Sequence, residues 1–316
     1  MKTGQFNNND YVSVTMEFRC NLKCEHCMIE GTMDRLVPQT LQRFHEILTF
    51  NREHKQWKGL ILTGSEITLR KDLPELARQA KEAGFQHVRI QTHGMHLHQK
   101  SYCDTLLDAG IDEFFVSVAG SDAESHDRIT GMIGAFDRMM QGLRYLDSFG
   151  HVSLLTNTVV TASSYQLLPE LVASLSHLKR LQQMEFWAYW PMQETDEKDL
   201  LVPHAQTLPY LKAAIAKAWE QGRSVEVKNF PECMLGDMSD VLMNDQPELH
   251  IDPAFWDEFM RNGFYQCTYQ EQCHSKQCLG LNSAYIKKYG WEKSLLSPVG
   301  AAIAPTNLPW EEQKEV

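Results

Sequence analysis

The feature that most constrains the fold is a regular alternation of short apolar segments with amphipathic ones. Six segments are predicted to be strands because they alternate in polarity or are wholly apolar, and they lie at residues 11–18, 60–63, 87–92, 114–118, 152–160 and 184–190. Helical spacing of apolar residues separates them. Strands joined by helices in this way are usually parallel with right-handed crossovers. The predicted fold is α/β, a partial (β/α)6 TIM-like barrel with a parallel sheet.

The composition changes near residue 222, where the alternation stops and Pro, Cys and aromatic residues become frequent. A chain of 316 residues is long enough for one large domain and one small one. We therefore expect a barrel domain at 1–222 and a small cysteine-rich C-terminal domain at 223–316. The tail after Ala301 carries prolines and scattered charge and is predicted to be mobile.

The charge balance and the termini limit the partners of this chain. Lys plus Arg is 30, Asp plus Glu is 41 and the net charge is -11, which argues against general nucleic-acid binding. The sequence shows no signal core and no apolar run long enough to span a bilayer, so we expect a cytoplasmic protein without membrane contact. Thiols stay reduced in that compartment, so the 8 cysteines are expected to be metal ligands or buried thiols.

Three cysteines follow the first predicted strand directly. Cys20, Cys24 and Cys27 have C-x3-C-x2-C spacing, which brings three thiolates around one soft metal centre. A closed zinc site and a fully held four-iron cluster each take four protein ligands. The loop therefore indicates a [4Fe–4S] cluster with one open iron. The alternative is a zinc site whose fourth ligand is His26 or a distant residue.

With His26 as an aromatic ring just before the last cysteine, this pattern resembles the radical S-adenosylmethionine (SAM) superfamily. The resemblance covers roughly residues 11–190. It implies that the amine and carboxylate of SAM chelate the open iron. It also implies SAM-binding groups at the ends of the following strands, where parallel α/β sheets carry their active sites.

The second predicted strand ends in Gly64-Ser65-Glu66. The family usually has Gly-Gly-Glu-Pro at this place, so the chain keeps Gly64 and Glu66 but has Ser65 and Ile67 where Gly and Pro are usual. The resemblance implies that the backbone here and the Glu66 carboxylate bind the SAM ammonium through charge-assisted hydrogen bonds. The alternative is an ordinary strand-to-helix turn.

The next two strand ends carry weaker signals. Thr92-His93-Gly94 resembles the family's Thr-Asn-Gly, with His93 in place of Asn. Ser117 matches the family's fourth strand end, but Ala119 stands where an Asp is usual, so no role for an acid transfers to it.

His126, Asp127 and Gly131 match the segment that follows. Ser117 and Asn157, on the fifth strand, are expected to hydrogen-bond the ribose or carboxylate of SAM. Each alone is also explained as a satisfied polar group at a strand end.

Four further cysteines lie after the predicted domain boundary: Cys233, Cys267, Cys273 and Cys278. They resemble the twitch/SPASM-like extensions of radical SAM enzymes, and their number fits the shorter twitch type with one auxiliary [4Fe–4S] cluster. Zinc is the alternative metal. Cys103 lies within a predicted helix and is expected to be a small buried hydrophobe.

The resemblance implies a radical reaction in which reduced flavodoxin or ferredoxin donates an electron and SAM is cleaved to methionine and a 5′-deoxyadenosyl radical. The radical then abstracts hydrogen from a small-molecule substrate, in an oxidation or rearrangement of a biosynthetic pathway. No catalytic side chain is assigned beyond the cluster ligands. Glu185, Trp187, Tyr189 and Trp190 are candidate pocket residues, although a buried aromatic strand is the more common explanation for them.

Two other functions stay open at this point. A peptide maturase would use the same chemistry, but the cysteine motif begins so near the N-terminus that we expect no leader-binding domain before it. An iron–sulfur carrier or electron-transfer protein would hold the clusters without turnover.

Overall fold

The structure, a computed structural model, describes residues 6–29, 31, 34–263 and 265–300. Its central feature is a parallel sheet of eight strands in the order β7-β6-β5-β4-β3-β2-β1-β8. The strands are β1 Tyr11–Glu17, β2 Gly59–Gly64, β3 His87–Thr92, β4 Glu113–Ser117, β5 Ser153–Val160, β6 Leu181–Ala188, β7 Ser224–Lys228 and β8 Glu248–His250. Seven strands thus follow the chain order, and β8 pairs with the free edge of β1.

Helices connect these strands and cover one face of the sheet. They are α1 Leu41–His54, α2 Leu73–Glu82, α3 Lys100–Asp108, α4 Ala123–Thr130, α5 Ala135–Leu146, α6 Leu168–Ser174, α7 His204–Glu220, α8 Glu232–Leu235, α9 Ala254–Phe259 and α10 Ser283–Tyr289. Local sequence sets several of their ends. Thr40 caps α1 by accepting a hydrogen bond from the Arg43 N–H, and a capping box of Asp122 and Ser125 begins α4.

The strands are two-sided, because successive side chains point to opposite faces. One set is apolar and fully buried against the helices, and it includes Val12, Val88, Ile90, Val225 and Val227. Full burial of one such side chain contributes about 1.5–3 kcal/mol. This helix-covered face holds the main hydrophobic core.

The other set of side chains faces the inside of a curled sheet, which we call the lumen. Tyr11 of β1 donates a hydrogen bond from its hydroxyl to Glu113 Oε1 of β4 at 2.8 Å, and Arg89 Nε of β3 donates to Glu113 Oε2 at 2.7 Å. In a flat sheet β1 and β4 would lie about 14 Å apart. Their direct contact shows that the sheet curves into a partial barrel with a polar lumen.

The predicted fold class is confirmed, since the chain is α/β with a parallel partial barrel and a cysteine-rich C-terminal segment. The predicted number of six strands is wrong, because β7 and β8 extend the sheet to eight. β7 carries only two apolar residues between polar ones, and β8 is three residues long. Neither presents the apolar run on which the sequence prediction relied.

The predicted domain boundary near residue 222 lies immediately before β7, so both additional strands fall in the segment assigned to the second domain. The division into 1–222 and 223–316 stays a prediction. After β7 the chain forms short elements around a second buried cluster that includes Leu281, Ala284 and Tyr285. The tail predicted to be mobile lies outside the described residues. In the described ranges, no helix is both long and apolar enough to cross a bilayer.

His204 joins the barrel to this C-terminal segment. Its ring stacks on Tyr285 at a centroid distance of 4.3 Å and lies 4.3 Å from the ring of Phe230. The His204 N–H donates to the Tyr285 hydroxyl, which also bonds the Glu292 carboxylate. Burial lowers the pKa of His204 to about 3, so the folded protein holds a neutral imidazole.

We predict that this burial makes folding acid-sensitive. An unfolded histidine has a pKa of about 6.5, so the stabilisation is complete above that pH and falls by about 1.4 kcal/mol per pH unit below it, toward the folded pKa. The His204→Phe variant should show a shallower loss of unfolding free energy than the parent between about pH 6.5 and 4.5 in urea titrations. The control is His151→Phe, because His151 is exposed. If the unfolding free energies of the parent and of His204→Phe fell equally steeply with pH, the prediction would be contradicted.

Candidate active site and second cysteine site

The cysteine loop begins three residues after β1 and brings its three thiols together. The pKa of Cys24 is raised to about 12, mainly by burial and further by the neighbouring Cys27 and Cys20. Within the described residues the three cysteines form no disulfide, and the Leu22 N–H donates to Cys20 Sγ at 3.4 Å. A turn closes the loop, since the Cys27 N–H donates to Cys24 O at 3.1 Å. The arrangement gathers soft ligands at the carboxyl edge of the sheet.

The end of α4 holds this loop from one side. The Lys23 N–H donates to Thr130 O at 3.1 Å, and the Glu25 N–H donates to Ile129 O at 2.9 Å. Gly131 ends α4 with a φ of +68°, and a Cβ there would lie 3.0 Å from Lys23 O. A glycine therefore suits both the left-handed backbone and the close approach.

The neighbouring residues of the same motif support the helix pair. Asp127 accepts hydrogen bonds from the N–H groups of Gly134 and Phe136 at the start of α5. His126 Nδ1 accepts from the Ala119 N–H at 3.2 Å, and burial lowers the pKa of His126 to about 4. The match to the family motif thus has a structural reason in this chain, which is the support of the cysteine loop.

Gly64 and Ser65 fix the end of β2 against the end of β1. A Cβ on Gly64 would overlap Glu17 O at 1.9 Å, and its φ of +158° also favours glycine. The Ser65 N–H donates to Glu17 O at 2.9 Å, and the Ser65 hydroxyl donates to Phe18 O at 2.8 Å. These contacts lie directly before the cysteine loop, so the two strand ends form one unit.

Glu66 is fully buried, and protein donors engage both of its oxygens. Oε1 accepts from Thr68 N at 3.0 Å, Thr68 Oγ1 at 2.5 Å and Thr92 Oγ1 at 2.6 Å. Oε2 accepts from the His93 N–H at 2.9 Å and lies 3.1 Å from His93 Nε2. The carboxylate thus ties the ends of β2 and β3 together. Its predicted direct contact with the SAM ammonium stays a prediction.

His93 extends this network to the cysteine loop. Its Nδ1 accepts from the Met95 N–H at 3.1 Å, which leaves the proton on Nε2, and Nε2 lies 2.8 Å from Asn21 Oδ1. Burial lowers the pKa of His93, and the nearby Glu66 carboxylate opposes that shift. His93 therefore links Glu66 to Asn21, inside the loop. Sequence reasoning named His93 but did not find Asn21 as its partner.

Ser117 and Asn157 lie elsewhere on the lumen face. They are register neighbours on β4 and β5, and the row continues through Glu185 of β6 to Glu226 of β7. Ser117 is exposed and Asn157 is buried. The structure places both near the carboxyl edge, but on strands away from β1. Sequence reasoning missed Glu226, although the Val225-Glu226-Val227 alternation carried the signal.

Trp187 and Glu185 do lie together on the lumen face, where Trp187 Nε1 donates to Glu185 Oε2 at 2.8 Å. Tyr189 packs instead with the C-terminal buried cluster, and Trp190 stacks on Phe259 at 5.5 Å. The aromatic residues predicted as one pocket are therefore divided between two places.

The second set of cysteines also converges. Each thiol accepts a backbone N–H: Cys267 from Tyr269 at 3.4 Å, Cys278 from Gly280 at 3.3 Å, Cys273 from Val299 at 3.4 Å, and Cys233 from Ser297. Burial and the nearby Cys233 and Cys273 raise the pKa of Cys278 to about 11. Backbone N–H donation to sulfur is typical of the surroundings of iron–sulfur clusters.

Both cysteine sites suit a multi-iron cluster. In the described part of the chain, no three Cys, His, Asp or Glu side chains are grouped closely enough to hold a single metal ion. In a [4Fe–4S] cluster the irons occupy separate corners of a cube, and each iron held by the protein binds its own thiolate. One hydrogen-bond pattern recurs at three cysteines. The sulfur accepts from the backbone N–H of the residue two positions later at Cys20, Cys267 and Cys278. His26, the other zinc candidate, is half-buried, and desolvation of its ring lowers its pKa to about 4.

Comparisons with known proteins identify the domain. Residues 15–163 match the sequence profile of the radical SAM superfamily. A probable GTP 3′,8-cyclase of Metallosphaera sedula is 32% identical over 154 residues, covering 47% of this chain and 46% of the relative. A probable GTP 3′,8-cyclase of Saccharolobus islandicus is 33% identical over 150 residues, 46% of each chain. The chain thus spans about half the length of the curated relatives it matches.

Solved structures give the same fold. SuiB of Streptococcus suis bound to the precursor peptide SuiA has a TM-score of 0.56 at 17% identity, covering 69% of this chain and 48% of that one. Native anSMEcpe with bound AdoMet has a TM-score of 0.52 at 15% identity, covering 69% and 63%. These likenesses support the partial barrel. The matched profile shows that residues 15–163 form a radical SAM domain.

Proposed function

We propose that this chain is a radical SAM enzyme that cleaves SAM reductively and abstracts hydrogen from a small-molecule substrate. The observation that carries the proposal is the joint geometry of two groups. Cys20, Cys24 and Cys27 converge after β1, and the Glu66–His93 network fastens the same loop to the ends of β2 and β3. Three protein thiolates leave one iron of a [4Fe–4S] cluster for SAM.

When bound, the cluster and SAM supply the reductive cleavage that gives methionine and a 5′-deoxyadenosyl radical able to abstract hydrogen. The protein holds and orients these groups. The loop thiolates hold the cluster, and the hydrogen bond between His93 and Asn21 fixes the loop relative to Glu66. Ser117 and Asn157 supply polar groups for the ribose or carboxylate.

Cys233, Cys267, Cys273 and Cys278 are proposed to hold an auxiliary [4Fe–4S] cluster in a twitch/SPASM-like segment. Its support is the convergence of four thiols that each accept a backbone N–H. Such a cluster either accepts an electron from the substrate or orients it. Reduced flavodoxin or ferredoxin is the proposed electron donor of the oxidoreductase-type reaction.

The substrate is proposed to be a small molecule that differs from GTP. The similarity to the cyclases covers about 150 residues, which is the length of the radical SAM domain. The lumen next to the site carries the buried carboxylates of Glu185 and Glu226, which repel a triphosphate. A peptide maturase and an iron–sulfur carrier without turnover are the alternative functions.

One prediction of this proposal concerns SAM cleavage. Anaerobically reconstituted protein with dithionite and SAM should release 5′-deoxyadenosine, and Cys24→Ala should abolish the release because one cluster ligand is lost. Cys103→Ala is the matched control. Cys103 is buried on α3 with its thiol 3.1 Å from Leu97 O, far in sequence from both cysteine sites. Chromatography of the quenched mixture measures the product.

A reconstituted parent protein with an EPR-confirmed cluster that releases no 5′-deoxyadenosine would contradict the proposal and favour the carrier function. Equal release from the Cys24→Ala and parent proteins would show that the loop does not hold the reacting cluster. Adding GTP to the parent reaction is a further arm. A GTP-derived product would support the cyclase function of the relatives and contradict the substrate proposed here.

The second prediction concerns the number of clusters. The triple variant Cys20→Ala, Cys24→Ala and Cys27→Ala should keep about four irons per chain after reconstitution, because the other four thiols still hold a complete cluster. Elemental analysis and Mössbauer spectroscopy count and type the iron. A triple variant without bound iron would refute the auxiliary cluster, while zinc retained in its place would support the alternative metal.

A further inference from the structure

A row of polar side chains crosses the lumen just below the carboxyl edge of the sheet. Ser117, Asn157, Glu185 and Glu226 are lateral register neighbours on β4, β5, β6 and β7. Neighbouring strands lie about 4.8 Å apart, so the row spans about 14 Å. It begins at exposed Ser117 and ends at Glu226, which is 1% exposed. The row therefore leads from the proposed SAM-binding groups to a buried carboxylate.

Glu226 has unused hydrogen-bonding capacity. Val225 and Val227 pack in the helix-covered core, so the Glu226 side chain between them points into the lumen. Among the described residues, Oε1 has no hydrogen-bond partner, and Oε2 has only the Lys228 ammonium at 3.2 Å. A buried polar atom without a partner destabilises the folded state, and more so when it is charged. Glu226 is therefore ion-paired at Oε2, and its Oε1 can accept a further donor.

A second unpartnered group faces the same lumen from the opposite strands. Arg89 of β3 donates Nε to Glu113, but its buried Nη2 has no hydrogen-bond partner among the described residues. The charge of Arg89 acts on Glu226 across the barrel. Unsatisfied polar atoms on β3 and β7 thus border one polar space.

The cations near Glu226 are shared with other groups. Lys228 and Arg89 act on Glu226 against the neighbouring Glu185, and Arg89 is itself paired with Glu113. The Lys228 ammonium also donates to Met243 O at 2.8 Å, so its hydrogen bonds are shared. Burial and the neighbouring Glu185 raise the pKa of Glu226 to about 7, against the opposing effect of Lys228. Glu226 Oε1 therefore keeps the capacity to accept a hydrogen bond from a further cation.

The wall beside the carboxylates is aromatic. Trp187 Nε1 and Gln183 Nε2 donate to the two oxygens of Glu185, at 2.8 and 3.0 Å, so Glu185 is fixed in place. The rings of Phe115 and Trp187 lie 6.4 Å apart on the same face of the sheet. Aromatic faces next to carboxylates suit an alkylammonium ion, because the ring attracts the cation and packs against its carbon chain.

We propose that Glu226, with Glu185 beside it, binds a primary ammonium group of the substrate. The row from Ser117 then holds SAM at one end and the cationic end of the substrate at the other. The inference rests on the proposed function, since it places the substrate in the lumen of a radical SAM enzyme. It deepens that function by naming the substrate class, a small aliphatic amine.

The test uses reconstituted protein with SAM and measures the binding of n-butylammonium and of neutral 1-butanol by ligand-observed NMR titration. The parent should bind the ammonium ion more tightly than the alcohol. Glu226→Gln should weaken ammonium binding by about 10- to 100-fold, since a charge-assisted hydrogen bond is lost. Ser153→Ala should leave it unchanged, since Ser153 begins β5, at the end away from the carboxyl edge, and its hydroxyl accepts from Gln182 Nε2.

Equal ammonium affinities of parent and Glu226→Gln would overturn the inference, as would equal affinities for ammonium and alcohol. A structural role for Glu226 predicts a lower melting temperature for Glu226→Gln with unchanged ammonium binding. The proposed binding role predicts instead that the ammonium affinity of Glu226→Gln falls while the variant remains folded at the temperature of the titration. Glu185→Gln, which keeps an acceptor for Trp187, is the second variant and should weaken ammonium binding by about 3- to 10-fold.

Release of 5′-deoxyadenosine by the same samples under reducing conditions separates the two proposals. Release without a preference for ammonium overturns this inference and leaves the proposed function standing. A preference for ammonium without release overturns the proposed function, while the amine site itself is supported.

Discussion

The buried carboxylate of Glu66 is the contact on which the arrangement of the site depends. A fully buried carboxylate is tolerated only when donors satisfy it, and here Thr68, Thr92 and His93 do so from two strand ends. His93 carries the constraint to Asn21 in the cysteine loop. Separating the ends of β2 and β3 would remove the Thr92 and His93 donors from the charge, and moving the loop would break the contact of His93 with Asn21. Gly131 and the end of α4 hold the loop from its other side.

Much of this architecture was readable from the sequence, because strand–helix alternation is a local pattern and a parallel sheet follows from it. The cysteine spacings were equally local. β7 and β8 were missed because one has two apolar residues and the other is three residues long. The link from His93 to Asn21 joins residues 72 positions apart, so no local sequence pattern predicts it. Glu66 was expected to face a ligand, yet its partners depend on how separate segments pack.

The polar lumen explains why the two faces of the sheet serve different purposes. Apolar residues such as Val225 and Val227 build the core with the helices, while Glu226 between them faces the inside of the barrel. Paired groups such as Arg89 and Glu113 stabilise the lower lumen. Near the carboxyl edge the pairing is incomplete at Glu226, which is a cost to folding that binding can offset. The shared scaffold thus positions the cysteine loop after β1 and two buried carboxylates on β6 and β7.

The central claim is that the loop cysteines hold a cluster with one iron open to SAM. The most direct measurement is the EPR spectrum of the one-electron-reduced protein before and after addition of SAM. The account predicts that SAM changes the spectrum of the parent protein, and that no change occurs in the variant with Cys20, Cys24 and Cys27 all replaced by Ala. A parent spectrum that SAM leaves unaltered, with the cluster fully assembled, would contradict the account.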